Sequence, residues 1–273
     1  MRIIDIIQNG IFFVDGVMDS TPLWVLGIVV SMVVPYLLGS LNFAIIISAK
    51  QYKEDIRSYG SKNAGMTNMM RTYGKRAAGL TLLGDALKAI VSCAIGYLML
   101  GYLGCYIAGL FCVMGHMFPV FYRFKGGKGV VTGAMAILMS DPITFAIVLL
   151  IFIIIVAFTK YISLGSVMSV LLYPLILDRI YIWRGYPCPY TIFAVMLMIL
   201  VVAKHYENIK RLWQGKENKF SFKKSSEAAK THQAEIEAQK KAVEAEAKEE
   251  EHLETVSTTK RKKINKNYGK KKK

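Results

Sequence analysis

Between Leu23 and Val202 the chain runs through long apolar stretches separated by short polar loops, and that distribution limits the fold more than any other feature. A run of about 18 or more apolar residues can cross a hydrocarbon core about 30 Å thick. No water is present there to satisfy backbone N–H and C=O groups, so the runs are expected as helices, whose hydrogen bonds close within the segment. Composition alone is weaker evidence. Hydrophobic residues make up 53% of the 273, and soluble domains approach that share. The confinement of charge to loops and tail is what argues against a water-soluble globule.

The expectation is therefore an all-α integral membrane protein with about seven transmembrane helices. The segments cover about 23–49, 77–100, 102–122, 130–139, 143–159, 163–177 and 190–204. Pro35, Gly39 and Ser40 predict a kink in the first. Asp141-Pro142 reverses the chain before the fifth, and the fourth is too short to span unaided. Residues 1–22 hold a short apolar stretch with Asp5, Asp15 and Asp19 and no basic leader. They read as an interfacial or extracytoplasmic segment, not a cleavable signal. The membrane domain follows over 23–215, and 216–273 forms a charged tail.

Basic residues set the orientation. The loop after the first segment holds Lys50, Lys53, Arg57, Lys62, Arg71, Lys75 and Arg76, and the loop after the third holds Arg123, Lys125 and Lys128. Lys160 follows the fifth segment, and Lys204, Lys210 and Arg211 close the seventh. The connections near Gly101 and Asp141 are nearly free of basic residues, with Arg179 and Arg184 as exceptions. Lysine and arginine collect on the cytoplasmic side, which places the N-terminus outside and the C-terminus in the cytoplasm.

That topology and an anionic leaflet account for the net charge of +16, and no specific nucleic-acid partner is expected. In the tail, 226–254 is rich in Ala, Glu, Lys and Gln, which predicts an exposed, highly charged helix or coiled coil. The basic run 260–273 suits a disordered tail attracted to anionic lipid. Cys93, Cys105, Cys112 and Cys188 show no CxxC or Cys/His spacing and read as small buried apolar residues, so no metal site is expected.

Four polar groups carry candidate chemistry. Residues 124–132 read FKGGKGVVT, in which Lys125, Gly126, Gly127, Lys128 and Gly129 lead into a helix. Glycines let backbone N–H groups turn inward, and a helix N-terminus favours anions. This suits a phosphate cradle with Thr132 beside it, although the spacing is not that of a Walker A loop. A basic turn that serves topology alone fits the KGGKG residues equally well. The loop 55–71 sets Ser61, Asn63, Thr67 and Asn68 around Gly60 and Gly65, with Arg57 and Arg71 suited to bidentate contact with phosphate.

Ser40, Asp85, Lys88 and His116 lie within or beside spans, where charge is costly and faces a bundle interior or a watery cavity. Asp85 and Lys88 are three apart and read first as a structural pair, and His116 as either a catalytic or an interface residue. At the exit of the last segment, helical spacing puts His205 and Asn208 near one face, a position that suits substrate. Lys210 and Arg211 need no more than a charged helix exit.

Together these motifs resemble the bacterial acyl-phosphate:glycerol-3-phosphate acyltransferases, the PlsY family. The matching stretches are Gly39-Ser40, DIRSYGSKNAGMTNMMRTYGKR from Asp55, GHMFPVFYRFKGGKGVVT from Gly115, YISLGS from Tyr161 and HYENIKRL from His205. They fall in order over about 34–218, and the tail from about 221 lies outside. The resemblance implies a seven-helix protein of the bacterial cell membrane with its site on the cytosolic face. It implies transfer of a fatty acyl group from acyl phosphate to the first hydroxyl of glycerol 3-phosphate, giving lysophosphatidic acid and inorganic phosphate. The implied partners are those two substrates and membrane lipid, with no cofactor and no metal.

Carried over residue by residue, the resemblance assigns catalysis to Ser40, Asn68, His116 and His205. Substrate and phosphate binding falls to Arg57, Ser61, Asn63, Thr67, Lys125, Gly126, Gly127, Lys128, Gly129, Thr132, Ser163, Ser166 and Asn208. The general base stays open between His116 and a substrate phosphate. Lys62 and Met66 depart from the family's small residues, 41–44 lacks the usual proline and glycine, and Gly165 replaces an alanine. The main rival is a transporter of organic phosphate or lipid, which Asp85, Lys88 and glycine-broken helices would suit. Against it, the motifs gather at one face, with no midplane site and no internal repeat. A scaffold would not need the glycine-rich basic motifs, and a CDP-alcohol transferase would need an aspartate array that is missing.

Overall fold

The computed structural model describes residues 21–185, 188–221 and 227–238. The expected N-terminal segment up to residue 20 and the basic run 260–273 lie outside the described residues. Every regular element among the described residues is helical.

Helix α1 (Thr21–Ser40) runs through Pro35 without a break. The interruption falls at Leu41-Asn42, one step beyond the expected kink. Asn42 causes it by capping α2 (Phe43–Ile47): its Oδ1 accepts the Ile45 N–H at 3.2 Å, while its Nδ2 donates to Ala64 O at 3.3 Å. One turn of π-helix (Ser48–Tyr52) completes this stretch. A 3-10 turn (Ile56–Ser58) and α3 (Met66–Tyr73) then shape the loop that follows.

Helical hydrogen bonding runs from Lys75 to Met117 in α4, but the chain folds back at Leu100 and Gly101. Gly101 has φ 58° and ψ −139°, a region open in practice to glycine. A Cβ on Gly96 would lie 2.1 Å from Gly104 O, and one on Gly104 would lie 2.0 Å from Gly96 O. Residues eight apart on a straight helix sit about 12 Å apart, so α4 is a helical hairpin with arms in backbone contact. These arms are the two helices expected over 77–100 and 102–122. Gly39 brings α1 equally close to the second arm, since a Cβ there would meet Cys112 O at 2.1 Å.

The remaining elements are α5 (Val130–Ser140), α6 (Pro142–Thr159), α7 (Ile162–Trp183), α8 (Thr191–Lys204) and α9 (Tyr206–Trp213). Asp141 starts α6, its Oδ1 accepting the Thr144 N–H at 2.8 Å. On α6 only Thr144 and Val148 are buried. A helix so apolar and so uncovered belongs in lipid. Among the described residues, the α1–α2 run, α4, α6 and α7 are long and apolar enough to cross a membrane, and α8 with α9 would make a further span bent by 59°. The fold is that of a multi-pass membrane protein.

Its core joins the second arm of α4 to α5, α7 and α8 through Tyr106, Val113, Ile137, Tyr173, Leu177 and Leu197. The two arginines that break the charge pattern are both ion-paired. Arg184 Nη1 lies 2.5 Å from Asp141 Oδ2, and Arg179 Nη2 lies 2.6 Å from Asp178 Oδ2.

The described part of the charged tail is a mostly exposed helix with one docked face. Residues 227–238 form this helix, α10, and it is docked against the 52–74 stretch. Ala229 is buried, Ile236 packs against the cluster around Met69 and Tyr73, and His232 Nε2 meets Glu54 Oε2 at 3.0 Å. A regular alanine among the charges, with one isoleucine seven positions on, supplies the apolar stripe that the composition concealed.

Candidate active site

The glycine loop between α4 and α5 lies directly on His116. Gly127 N–H donates to His116 O at 3.1 Å. A Cβ on Gly126 would lie 2.1 Å from that same oxygen, and one on Gly127 would lie 2.1 Å from His116 Nε2. These two glycines are therefore required by contact with His116, a reason separate from any approach to phosphate. Among the described residues the amides of Lys128 and Gly129, just before α5, donate to no carbonyl or side chain. Thr132 stands in the first turn of α5, fully buried, and its hydroxyl has no partner among the described residues.

The loop's other flank is held by Arg57. Its Nε and Nη2 grip Asp55 at 2.7–3.0 Å, and its Nη1 donates to Tyr122 O at 3.1 Å and Lys125 O at 3.0 Å. The residues bracketed by those two carbonyls, Arg123 and Phe124, both have positive φ. Such a backbone costs about 1–3 kcal/mol per residue and persists only where its surroundings hold it. Arg57 is thus a staple on a strained turn, with its pairing to Asp55 holding it well up in the guanidinium range. It also lines a cleft of about 410 Å³ with Asp55, Lys62, Arg123, Lys125 and Gly126.

On the far side of the loop is a second cationic group. Lys128 Nζ donates to Asn208 Oδ1. Asn208 Nδ2 donates to Glu217 Oε1 at 2.6 Å, Ser163 Oγ donates to the same oxygen at 2.8 Å, and Arg211 Nε donates to Glu217 Oε2 at 2.8 Å. Arg71 is within electrostatic range of Glu217 and Arg211. Burial pushes the Lys128 ammonium down to about 8, with Glu217 pulling the other way and Arg211 and Arg71 adding to the fall. Burial alone would raise the Glu217 carboxyl, but hydrogen bonds from Asn208, Arg211 and Ser163 hold it below its usual range. Three cations against one carboxylate leave a surplus of two positive charges, which matches a phosphate monoester dianion. His205, buried at the α8–α9 bend, has Nδ1 at 2.8 Å from Val201 O. A carbonyl only accepts, so Nδ1 carries the ring proton, and the Nε2 lone pair has no partner among the described residues.

The remaining expected residues occupy a supporting layer. Ser40 Oγ donates to Tyr36 O at 2.8 Å and is fully buried beside the 118–122 stretch. Asn68 has its whole amide engaged: Oδ1 accepts the Ser61 N–H at 2.8 Å, and Nδ2 donates to Ile56 O at 3.2 Å and Tyr59 O at 3.0 Å. It folds the 56–61 turn. Ser61 is exposed, and Asn63 and Thr67 are half-buried in the same loop. Ser166 Oγ donates within its own helix to Ile162 O at 2.9 Å. Beneath the loop, Lys88 Nζ lies 2.9 Å from His116 Nδ1 and 2.8 Å from Asp85 Oδ1, so the pair first read as structural is part of the His116 environment.

Sequence reasoning missed Glu217 and undervalued Arg211. The available signal was a lone acid after Gly215 inside the otherwise basic segment 210–219.

Fold and site together define a multi-pass membrane protein with a glycine-rich, cationic polar site of the kind that suits phosphate. A sequence profile for glycerol-3-phosphate acyltransferase matches residues 29–215. The chain is 42% identical over 190 residues to the glycerol-3-phosphate acyltransferase of Finegoldia magna, covering 68% of this chain and 93% of that one. It is 42% identical over 192 residues to that of Syntrophomonas wolfei, covering 70% and 96%. A crystal structure of PlsY (YgiH), an integral membrane glycerol 3-phosphate acyltransferase, in its glycerol 3-phosphate form superposes with TM-score 0.65 at 34% identity, covering 71% of this chain and 96% of that one. The lysophosphatidic acid form gives 0.64 at 32%, covering 72% and 97%. The chain belongs to the glycerol-3-phosphate acyltransferase family.

Proposed function

We propose that this chain acylates glycerol 3-phosphate with acyl phosphate as the donor, on the cytoplasmic face of a bacterial membrane it crosses about seven times. The observation that carries the reading is the pair of cationic groups at one glycine loop, a cleft lined by Lys125 and a hydrogen-bonded cluster that contains Lys128. The reaction joins two phosphate-bearing substrates, and the site offers two places for phosphate.

In this reading the phosphate of glycerol 3-phosphate rests among Lys128, Arg71, Arg211 and Ser163, with Asn208 and the His205 Nε2 lone pair orienting its hydroxyls. The donor phosphate enters the cleft of Arg57, Lys62, Arg123 and Lys125. Lys62, where the family pattern has a small residue, adds a cation to that cleft. Asn68, Ser61, Asn63 and Thr67 keep its rim in shape. The first hydroxyl oxygen of glycerol 3-phosphate attacks the acyl carbonyl carbon, forming the ester C–O bond. The bond from that carbon to the phosphate oxygen breaks, and phosphate departs with the electron pair. The hydroxyl proton ends on the released phosphate. A mixed anhydride has a good leaving group, so positioning and charge stabilisation are the protein's main tasks.

Support for the orientation comes from the loops that build the site, which are also the basic ones, while Arg179 and Arg184 are paired with acids. Membership of an acyltransferase family removes the case for a transporter. The test is purified protein in detergent with palmitoyl phosphate and labelled glycerol 3-phosphate, without CoA or metal. Labelled lysophosphatidic acid is the expected product. Product formed from palmitoyl-CoA but not from palmitoyl phosphate would overturn the donor assignment.

A further inference from the structure

Hydrogen-bond arithmetic around Lys88 decides which role His116 can play. Lys88 Nζ makes three hydrogen bonds, with Gly39 O at 3.0 Å, Leu41 O at 2.8 Å and His116 Nδ1 at 2.9 Å, while Asp85 Oδ1 is ion-paired with it at 2.8 Å but has no hydrogen-bond partner among the described residues. An ammonium has three protons and no lone pair, so it donates and its neighbours accept. His116 Nδ1 therefore presents its lone pair to Lys88. A proton on Nδ1 would point at the ammonium instead, and the acid that could receive it, Asp85 Oδ1, lies 3.5 Å away, beyond the 2.7–3.2 Å range of such bonds. The neutral ring then carries its proton on Nε2. That nitrogen has no hydrogen-bond partner among the described residues and sits against Gly127 in the glycine loop.

We infer that Lys88 and Asp85 are positioning residues that lock His116 as a neutral imidazole with its Nε2–H turned toward the glycine loop. His116 thereby serves acyl transfer as a fixed hydrogen-bond donor and is excluded as its general base. A base working at the loop would need the lone pair on Nε2, and Lys88 denies that tautomer. Asp85 balances the charge of Lys88 without bonding to the ring. Lys88 also ties down the carbonyls that end α1, so one ammonium fixes both the α1 terminus and the ring. The donated hydrogen bond is suited to negative charge that grows on an acyl-phosphate oxygen during attack, and a donor that needs no reorganisation is worth most there. This consequence for catalysis rests on the acyl-transfer reading; the tautomer does not.

Protein labelled with 15N-histidine, studied in micelles near neutral pH, tests the tautomer directly, with the His116 signals assigned by their loss in His116→Gln. Expected is an imine-type Nδ1 resonance and a protonated, pyrrole-type Nε2. The reverse pattern, or two protonated nitrogens, would overturn the inference whatever the enzyme's donor proves to be. Activity gives the second arm. Glutamine keeps an N–H donor near the Nε2 position but has no basic nitrogen, so His116→Gln is expected to retain kcat within about tenfold while His116→Ala loses about 10²-fold. Equal loss of about 10²–10⁴-fold in both variants, the size of a general-base contribution, would contradict the donor role. In Lys88→Met the released ring is expected to show both neutral tautomers, with kcat falling and KM for glycerol 3-phosphate unchanged. An unchanged spectrum in a folded Lys88→Met protein would show that Lys88 does not set the tautomer.

Discussion

The two buried histidines, His116 under the glycine loop and His205 at the α8–α9 bend, have surroundings opposite in kind. His116 lies in a closed knot, where Lys88 bonds the ring and the carbonyls at the end of α1 and Asp85 balances its charge. His205 lies beside an open cluster, where Lys128, Arg71 and Arg211 outnumber Glu217. The first arrangement has no surplus charge and suits positioning. The second keeps a positive surplus that only an anion would balance, which suits binding. The ring protons differ accordingly: Nε2–H is offered at His116, and at His205 the Nε2 lone pair has no partner among the described residues.

If the knot is structural, breaking it should be the costliest change. Lys88→Met leaves Asp85 as an uncompensated buried charge and should destabilise the protein by about 3–5 kcal/mol, measured by SDS-titration unfolding. Adding Asp85→Leu should recover most of that stability without recovering activity, because an apolar replacement fills the space but leaves His116 unheld. Full recovery of activity in the double variant would break the distinction drawn here. On the binding side, Lys128→Ala should cost about 10²–10³-fold in kcat/KM for glycerol 3-phosphate, as for loss of one preorganised donor, with unfolding unchanged.

A pH profile sharpens the contrast. Lys128 holds its proton only to about pH 8 in the free enzyme, because burial disfavours the ammonium. Cationic Lys128 is the form that binds phosphate, so kcat/KM should be full below that point and fall as pH rises through about 8. Lys128→Arg should move this limb out of range, since guanidinium stays protonated. A limb unmoved by the arginine would assign it elsewhere.

Much of this was legible in the order of residues. Alternation of apolar runs with basic loops marked the helices, and Gly101 marked the hairpin tip because a reversal needs its φ. The lysines and glycines of 125–129 marked the loop that packs on His116 and carries Lys128. The pairing of Lys88 with His116 was not legible, since residues 28 apart meet only through the hairpin's register. The use made of Asn68 was hidden as well: an amide beside hydroxyl residues looks like a substrate contact until its three bonds are seen closing a turn. Arg57 carried a similar ambiguity, and most of its donors hold the protein's own backbone and Asp55.

The docking of α10 depended on a contact between positions 178 apart. Its effect should be the smallest of those considered. Removing the hydrogen bond in His232→Ala should cost about 0.5–1 kcal/mol locally, seen as faster amide exchange over 54–73, with kinetics changed less than about twofold. Exchange unaltered over that loop would mean that α10 does not brace it.

The division of labour between the two histidine environments is tested most directly by calorimetric titration of glycerol 3-phosphate into wild-type, Lys128→Ala and His116→Gln proteins. The account predicts that Lys128→Ala loses measurable binding, while His116→Gln binds within about twofold of wild type and shows its defect only in turnover. Binding lost in His116→Gln and kept in Lys128→Ala would contradict it.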